Sequence, residues 1–420
     1  MDVRIEKVDA IEVLDSRGRP TLSVTMTLTG GVIARAGVPS GASTGSREAV
    51  ELRDGDPDRF GGGGVRGAVG AVNGEIAAAI GRRTFSGQAE LDQTLIELDG
   101  TENKSRLGAN AIVGVSMAGA RAMASEAGVP LWRSLNPSAV APRLPVPHFN
   151  VVNGGVHAPN DLDFQEFMVA PLGAPTMAEA VRAGAEVYAA LRTLLAGRGE
   201  ATGLGDEGGF APQIAEPEAV LGVLVEAIGQ AGYRAGRDGV MIALDPAASE
   251  FHRDGMYSVA GEKLSSDDMV DRYAAIADAF PVWSLEDGLA EGDWDGWVRL
   301  TARLGDRLQL VGDDLLVTNP AIIADAIDRR AGNAALIKVN QIGTVTETLA
   351  AMATCRAGGW AQMVSHRSGE TEDSFIADLA VGTGCGQIKS GAPARGERVA
   401  KYNRLIEIEA GEALPYGPGG

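Results

Sequence analysis

Six short apolar runs in the C-terminal two thirds of the chain each end in an ionisable residue, and helical stretches separate them. This repetition constrains the fold more than any other feature of the sequence. Repeated strand–helix units with charged residues at the carboxyl ends of the strands predict a β/α barrel with its active site on that face. The charged residues that close or follow the six runs are Asp245, Glu286, Asp313, Lys338, His366 with Arg367, and Lys389.

The spacing of these charged residues favours a barrel over an open sheet. From Glu286 onward they are separated by intervals of 27, 25, 28 and 23 residues, and each interval suits one strand and one helix. The competing architecture is a doubly wound open sheet. That fold would concentrate its chemistry at one switch point and usually carries a glycine-rich phosphate turn after the first strand. Here the charges follow six successive strands.

Capping residues mark the ends of several helices between the strands. Thr176 and Thr344 are each followed three residues later by a glutamate, which is the pattern of a capping box. Asn319 precedes Pro320, which predicts an N-cap followed by proline at the first helical position.

The first third of the chain has a different pattern. Residues 3–37 read as strands, and residues 65–127 are alanine-rich and helical. Residues 135–147 hold four prolines and few helix formers, which is typical of a linker. We therefore predict an α/β protein with a small N-terminal α+β domain (1–134), a proline-rich linker (135–147) and a β/α barrel (148–420).

The composition excludes several classes of protein. A formal charge of −19 argues against nucleic-acid and anionic-membrane partners, although it allows one basic site for a small anionic substrate. The two cysteines form no disulfide framework and no zinc motif. No signal peptide and no apolar run of membrane-spanning length is read. We expect a cytoplasmic protein.

Asp245, Glu286 and Asp313 are carboxylates at three of these strand ends. Side by side on one barrel face they would repel one another unless a cation neutralised them. An all-oxygen ligand set without His or Cys favours magnesium over zinc. The alternative is that each acid caps the helix that follows, as is common in βα loops. Their common register favours the metal site.

The remaining strand ends supply cations. Lys338 adjoins the acids, and a neighbouring metal or partial burial would lower its pKa enough for it to act as a base. A salt bridge to the same acids is its alternative role. His366, Arg367 and Ser368 offer a cation, a planar fork and a hydroxyl, which suit a phosphate or carboxylate. Lys389 adds a further positive charge.

Glu207 lies in a short segment, residues 205–209, in which glycines flank two acids. A glutamate on backbone that approaches a ligand so closely could act as a general acid, and a surface turn is the alternative. These groups together suit a reaction in which a lysine removes an α-proton and a glutamate protonates the leaving group.

Long stretches of the sequence match one known family. They are residues 15–18, 40–45, 103–104, 107–111, 165–168, 205–209, 284–287, 311–314, 338–343, 365–373 and 398–403. On these stretches the chain resembles the enolases, which dehydrate 2-phosphoglycerate to phosphoenolpyruvate. The resemblance covers nearly the whole chain and implies an enolase-type (β/α)8 barrel with an antiparallel second strand. Enolase-superfamily sites use a Lys or His base with one or two magnesium ions.

The resemblance implies two magnesium ions in each active site. Asp245, Glu286 and Asp313 resemble the ligands of the first ion. Ser40, on a loop that is mobile in the family, resembles a ligand of the second ion, which arrives with the substrate.

The resemblance also implies the residues that carry the reaction. Lys338 resembles the base and Glu207 the acid, with Glu166 beside it. The side chains implied to contact the substrate are Arg367 and Ser368 at the phosphate, Lys389 at the carboxylate, and His157, Gln165 and His366.

Some positions near the substrate depart from the family pattern. Val156 and Pro159 flank His157 on a loop that closes over the substrate. This favours a second hypothesis, an enolase paralogue of phosphonate biosynthesis, such as carboxyphosphonoenolpyruvate synthase, acting on a related phospho or phosphono acid. A third is a non-catalytic binding protein on an enolase scaffold, which the intact catalytic positions disfavour.

A second group of departures concerns the oligomer. Ile11, Ser23 and Glu407 stand where enolases usually carry the arginines and glutamate that pair across the dimer. Loss of both members of an ion pair removes the penalty of a single unpaired charge at an interface. We therefore predict that the usual dimer is weakened or rebuilt.

Overall fold

The structure is a computed structural model of the 420-residue chain, and it describes residues 2–42, 45–136 and 140–418. Ser43 and Thr44 of the matched stretch 40–45, and residues 137–139 of the predicted linker, lie outside the described residues. The strands are β1 Val3–Leu14, β2 Pro20–Leu28, β3 Ile33–Gly37, β4 Thr84–Phe85, β5 Val146–Asn153, β6 Glu166–Ala170, β7 Met241–Asp245, β8 His252–Arg253, β9 Met256–Val259, β10 Glu262–Leu264, β11 Val282–Glu286, β12 Gln309–Gly312, β13 Ala334–Ile337, β14 Ala361–Ser365 and β15 Gln387–Lys389.

Helices cover both the sheet and the barrel. None of the described helices is long and apolar enough to cross a bilayer. The helices are α1 Arg66–Ala71, α2 Ala77–Ile80, α3 Gln88–Asp99, α4 Ala109–Glu126, α5 Leu131–Ser134, α6 Met177–Gly197, α7 Pro217–Gln230, α8 Ser266–Ala279, α9 Trp294–Leu304, α10 Pro320–Arg329, α11 Val339–Ile342, α12 Val345–Ala357, α13 Phe375–Gly382 and α14 Gly396–Gly411.

The predicted barrel is confirmed. Eight strands close it in the order β5, β6, β7, β11, β12, β13, β14 and β15. Neighbours are parallel except at β6, which runs antiparallel to both β5 and β7, as the family resemblance implies. A 3-10 turn over Gly155–His157 joins β5 to β6 where strict alternation would place an α-helix, and α6 and α7 both follow β6.

The strand ends lie where the sequence pattern predicts them. Strands β7, β11 and β15 end at Asp245, Glu286 and Lys389, and Lys338 directly follows β13. These strands all run in the same direction around the barrel, so their terminal side chains meet at one face. The carboxyl ends of the strands therefore position the site.

The predicted N-caps are confirmed as well, although only the threonine half of each predicted capping box is present. The hydroxyls of Thr176 and Thr344 each accept a hydrogen bond from the amide three residues later. The side chain of Asn319 accepts bonds from the first amides of α10, which has proline at its start. Each cap satisfies backbone donors that the first helical turn leaves without partners.

The N-terminal domain is an antiparallel sheet covered by helices. Its strands lie in the order β3, β2, β1, β4, and α4 packs across them. Gly114 of α4 permits this close packing, because a Cβ there would lie 2.6 Å from Val24 and 2.9 Å from Val38. One continuous apolar core runs from this domain into the barrel. The two units therefore share one core, and the loop after β3 lies over the barrel face.

Candidate active site

Charged side chains from the carboxyl ends of the barrel strands converge in one small, strongly polar pocket. All the residues predicted for the site line this pocket except Glu286 and Ser40. The lining residues are His157, Gln165, Glu166, Glu207, Asp245, Asp313, Lys338, Ser365, His366, Arg367, Ser368 and Lys389.

Lys389 is the buried cation at the centre of the site. Its Nζ lies 2.8 Å from Asp245 Oδ2, 2.9 Å from Glu286 Oε1 and 3.0 Å from Glu166 Oε1. Burial lowers the pKa of Lys389, but the carboxylates outweigh burial and hold its pKa well above the usual range. The ammonium therefore stays charged and partly neutralises the acids around it.

The carboxylates around Lys389 fit a divalent cation. Burial, followed by the charge of Asp245, raises the pKa of Glu286 well above its usual range, and Asp313 adds to this effect. Glu286 Oε2 is buried and accepts no hydrogen bond within the described part of the chain. An oxygen acceptor without a partner, in a set made only of carboxylates, is the donor chemistry that magnesium or calcium prefers.

The three predicted metal ligands pair with different lysines. Asp245 and Glu286 bond to Lys389, whereas Asp313 bonds to Lys338 and its oxygens lie within 4.8 Å of those of Asp287 and Asp314. Asp287 accepts hydrogen bonds from the amides of Asp313 and Asp314, at 2.8 and 2.9 Å, and so fixes that turn.

Lys338 pairs with one of the acids. Its Nζ lies 2.5 Å from Asp313 Oδ2, and the side-chain amide of Gln341 donates to Asp313 Oδ1 at 2.8 Å. Burial lowers the pKa of Lys338, but the charge of Asp313 acts in the opposite direction, and the net shift is upward. The prediction that the pKa of Lys338 is lowered is therefore wrong when only the protein's own groups act on this lysine. Its alternative role, a salt bridge to the acids, is present.

Glu166 and Glu207 form a coupled pair. Burial and the charge of Glu207 raise the pKa of Glu166 well above its usual range. Burial also acts to raise the pKa of Glu207, but His366, His157 and Arg398 outweigh it and hold that pKa well below the usual range. These opposite directions favour the proton on Glu166 and the ionised form of Glu207, the acid implied by the resemblance, although the two groups titrate as a pair.

Arg367 and Ser368 are covered by the loop that follows β3. The two Nη atoms of Arg367 donate to the Glu48 carboxylate at 2.9 and 3.1 Å. The hydroxyl of Ser368 accepts from the amide of Ala42 at 2.6 Å and from Arg17 Nη1 at 3.3 Å. A phosphate at these side chains would therefore share them with, or take them from, this loop.

Ser40 does not line the polar pocket. Its hydroxyl accepts from Arg53 at 2.9 Å and donates to Glu51 at 3.1 Å, and its backbone bridges to Gly369. A metal ligand at Ser40 would have to give up these bonds. This role stays a prediction, and Ser43 of the same loop lies outside the described residues.

Comparison with known proteins decides the family. Residues 5–135 match the family model described as the enolase N-terminal domain, and residues 141–416 match the enolase C-terminal TIM barrel domain. The chain belongs to the enolase family. It is 55% identical over 423 residues to Enolase 1 of Methylococcus capsulatus (strain ATCC 33009 / NCIMB 11132 / Bath), covering 99% of this chain and 100% of that relative. Membership of this family makes the chain an enolase-superfamily lyase, and the reaction of such lyases depends on a metal.

The loop positions that depart from the enolase pattern lie outside the lining of the polar pocket. Val156 is 45% exposed and Pro159 is also exposed, and neither lines the polar pocket. His157, between them, is buried and does line the pocket. These departures therefore leave the lining of an enolase site unchanged.

Sequence reasoning assigned no role to several residues that shape the site. Arg17, Glu48, Gln341 and Arg398 all bond to predicted site residues. Three of them lie in stretches that match the family, namely 15–18, 338–343 and 398–403. Those matches were the available signal, but only tertiary structure shows what these side chains contact.

Proposed function

We propose that this enolase-family chain dehydrates 2-phosphoglycerate to phosphoenolpyruvate. The observation that carries the proposal is the pocket itself: one cavity holds Lys338, two glutamates whose pKa values shift in opposite directions, and the cations that a phosphorylated carboxylic acid requires. Identity of 55% over the full chain to an enolase supports this activity over the phosphonate-pathway alternative. The intact acids and bases support it over a non-catalytic binding role.

The roles of the residues follow from their chemistry. Lys338 takes the α-proton, and the bond electrons pass into the substrate carboxylate, which Lys389 partly neutralises. The hydroxyl group then leaves with a proton from the Glu166–Glu207 pair, so that water and the enol phosphate are the products. Arg367 and Ser368 hold the phosphate.

The remaining lining residues orient these groups. His157 Nε2 lies 3.8 Å from Glu207, and His157 Nδ1 lies 3.9 Å from Glu166, so this ring contacts both members of the pair. Gln165 and His366 line the same cavity. We propose that these three contact the substrate.

We propose Mg²⁺ as the metal, with two ions in each site. Asp245, Glu286 and Asp313 would hold the first ion, and Ser40 would contribute to the second, which enters with the substrate. When bound, such ions stabilise the charge that develops on the substrate carboxylate. The Glu286 oxygen without a hydrogen-bond partner supports this assignment.

The proposed partner is therefore a small anionic phospho acid. A net charge of −19 supports the absence of nucleic-acid and membrane partners. Cys355 and Cys385 are both free thiols, which fits the proposed cytoplasmic location.

A direct assay tests the activity. With 2-phosphoglycerate and Mg²⁺, we expect phosphoenolpyruvate to form, and we expect a chelator to stop the reaction and excess Mg²⁺ to restore it. Magnesium-dependent binding of 2-phosphoglycerate without turnover would instead favour the paralogue. Neither turnover nor binding would favour a non-catalytic role.

We propose, separately, that the dimer is weaker than in typical enolases or is rebuilt. Ile11 is 60% exposed on β1 and lies opposite Ser23 of β2, so neither position offers a charge. Glu407 is exposed and is reached by Arg404 of its own helix at 3.5 Å. Sedimentation across a concentration series should show dissociation at low protein concentration. A dimer that persists at nanomolar protein would contradict this proposal.

A further inference from the structure

Arg398 is a buried cation that connects the loops of the site. It lies on α14, and its side chain has no solvent exposure. Its guanidinium donates to the backbone carbonyls of Arg367, Ser368 and Asp206, at 2.7, 2.5 and 3.2 Å. Its Nη1 also lies 2.5 Å from Nδ1 of His366. One side chain thus contacts the loop that carries Arg367 and Ser368, the loop that carries Glu207, and the side chain of His366.

The hydrogen bond between Arg398 and His366 can have only one direction. A guanidinium carries five donors, has no acceptor and remains protonated in proteins. Nδ1 of His366 must therefore accept, which leaves the single ring proton of a neutral imidazole on Nε2. Nε2 lies 3.2 Å from Oε2 of Glu207, so this proton lies beside the carboxylate of the acid pair, although the N–H bond does not point at the oxygen closely enough for a hydrogen bond.

The surroundings keep the His366 ring neutral. Burial lowers its pKa most, and the charges of Arg398 and Lys389 lower it further, whereas Glu207 acts in the opposite direction. The net result is a His366 pKa of about 3. The histidine therefore places a proton donor beside Glu207 but does not itself exchange a proton at neutral pH.

We propose that Arg398 is a positioning residue that fixes the tautomer of His366, so that a neutral ring holds its Nε2 proton beside Glu207. Only the importance of Glu207 rests on the proposed function, because the tautomer is a property of the protein alone. In many catalytic and metal-bound histidines, a hydrogen bond to one ring nitrogen fixes the orientation and the tautomer of the ring.

A purely structural role for Arg398 is the competing explanation. Its bonds to three carbonyls would hold the loops together whatever the His366 tautomer is. Both explanations predict that removal of Arg398 lowers activity. Only the positioning role predicts a change in the proton position on His366 and a new ionisation in the pH profile.

The experiment is nitrogen-15 NMR of histidine-labelled protein. The chain has four histidines, so the His366 signals can be assigned by their loss in His366→Gln. In the wild-type protein we expect the Nε2–H tautomer without titration between roughly pH 5 and 9, whereas a free histidine titrates near about 6.5. Wild-type His366 with its proton on Nδ1 would overturn the proposal without any variant.

Arg398→Met then tests the cause. We expect His366 to lose its fixed tautomer, kcat to fall by about 10²-fold, and the acidic limb of the kcat profile to move to higher pH as the ring becomes able to protonate. A His366 spectrum identical to wild type would overturn the proposal.

Lys401→Met is the matched control. Lys401 is also a fully buried cation of α14, but it bonds to Glu370 at 2.9 Å and does not touch His366. We expect this variant to keep the wild-type His366 signals. If both variants change those signals alike, general loosening of α14 explains the result and the proposal fails. These signals require no turnover, so failure of the proposed activity would be seen separately in the assay.

Discussion

Replacing Lys338 by alanine should abolish exchange of the substrate α-proton with solvent and lower kcat by about 10³- to 10⁴-fold. Lys338 is the lysine of the pocket that is not enclosed by several carboxylates, since within the described part of the chain its one ion pair is with Asp313. Lys389 contacts three acids, which hold its proton more firmly. Proton NMR of 2-phosphoglycerate in D2O, with Mg²⁺ and enzyme, measures the exchange directly.

Lys104→Met is a suitable control for this experiment. Lys104 is also buried and pairs with a carboxylate, Glu347, at 2.9 Å, but it lies outside the pocket. Its replacement removes a buried ion pair of the same kind, and we expect α-proton exchange to continue. Exchange that persists in Lys338→Ala would show that another group is the base.

The raised pKa of Lys338 is compatible with its proposed role. Burial, Arg367 and Lys389 lower this pKa, whereas Asp313 and, to a smaller degree, Glu286 raise it. A cation held by Asp313 and Glu286 would compete for both carboxylates and so weaken the two effects that stabilise the ammonium. Burial and the neighbouring cations would then favour neutral Lys338, which is the form that can accept a proton.

The sequence could predict where the ionisable residues lie but not how they pair. Strand ends recur at regular intervals, and parallel strands bring their ends to one face, so the positions of Asp245, Glu286 and Lys389 followed from the pattern. Lys389 lies among three acids because the barrel closes between β15 and β5, and no local sequence pattern predicts this contact.

Long-range contacts explain the other differences. Glu48 and Arg367 are separated by 319 residues, yet they form a two-bond ion pair. The location of the proton in the acid pair depends on burial and on which cations face each carboxylate. The stretch 205–209 marks Glu207 as a candidate acid, but it does not show that His366, His157 and Arg398 surround it and favour its ionised form.

Glu207→Gln should separate the two halves of the reaction. Lys338 and its partners are untouched, so we expect α-proton exchange to continue, whereas phosphoenolpyruvate formation should fall by about 10²- to 10⁴-fold. Glutamine has the same shape and still offers an oxygen to the Asn150 amide, which donates to Glu207 at 2.9 Å. The loss therefore reports the missing charge, and the lower proton affinity of Glu166 that follows from it, rather than a collapsed loop.

The residual elimination in Glu207→Gln should also show a shifted pH profile. The charge of Glu207 helps to raise the pKa of Glu166, so its removal lowers that pKa. A group that acts as an acid loses activity as pH rises through its pKa, and we therefore expect the alkaline limb of phosphoenolpyruvate formation to move to lower pH. Glu166→Gln, with the ionised Glu207 retained, gives the comparison, since an amide keeps the neutral form but has no proton to transfer. If exchange and elimination fell together in Glu207→Gln, Glu207 would be required before the α-proton leaves, and its place as part of the acid pair would be wrong.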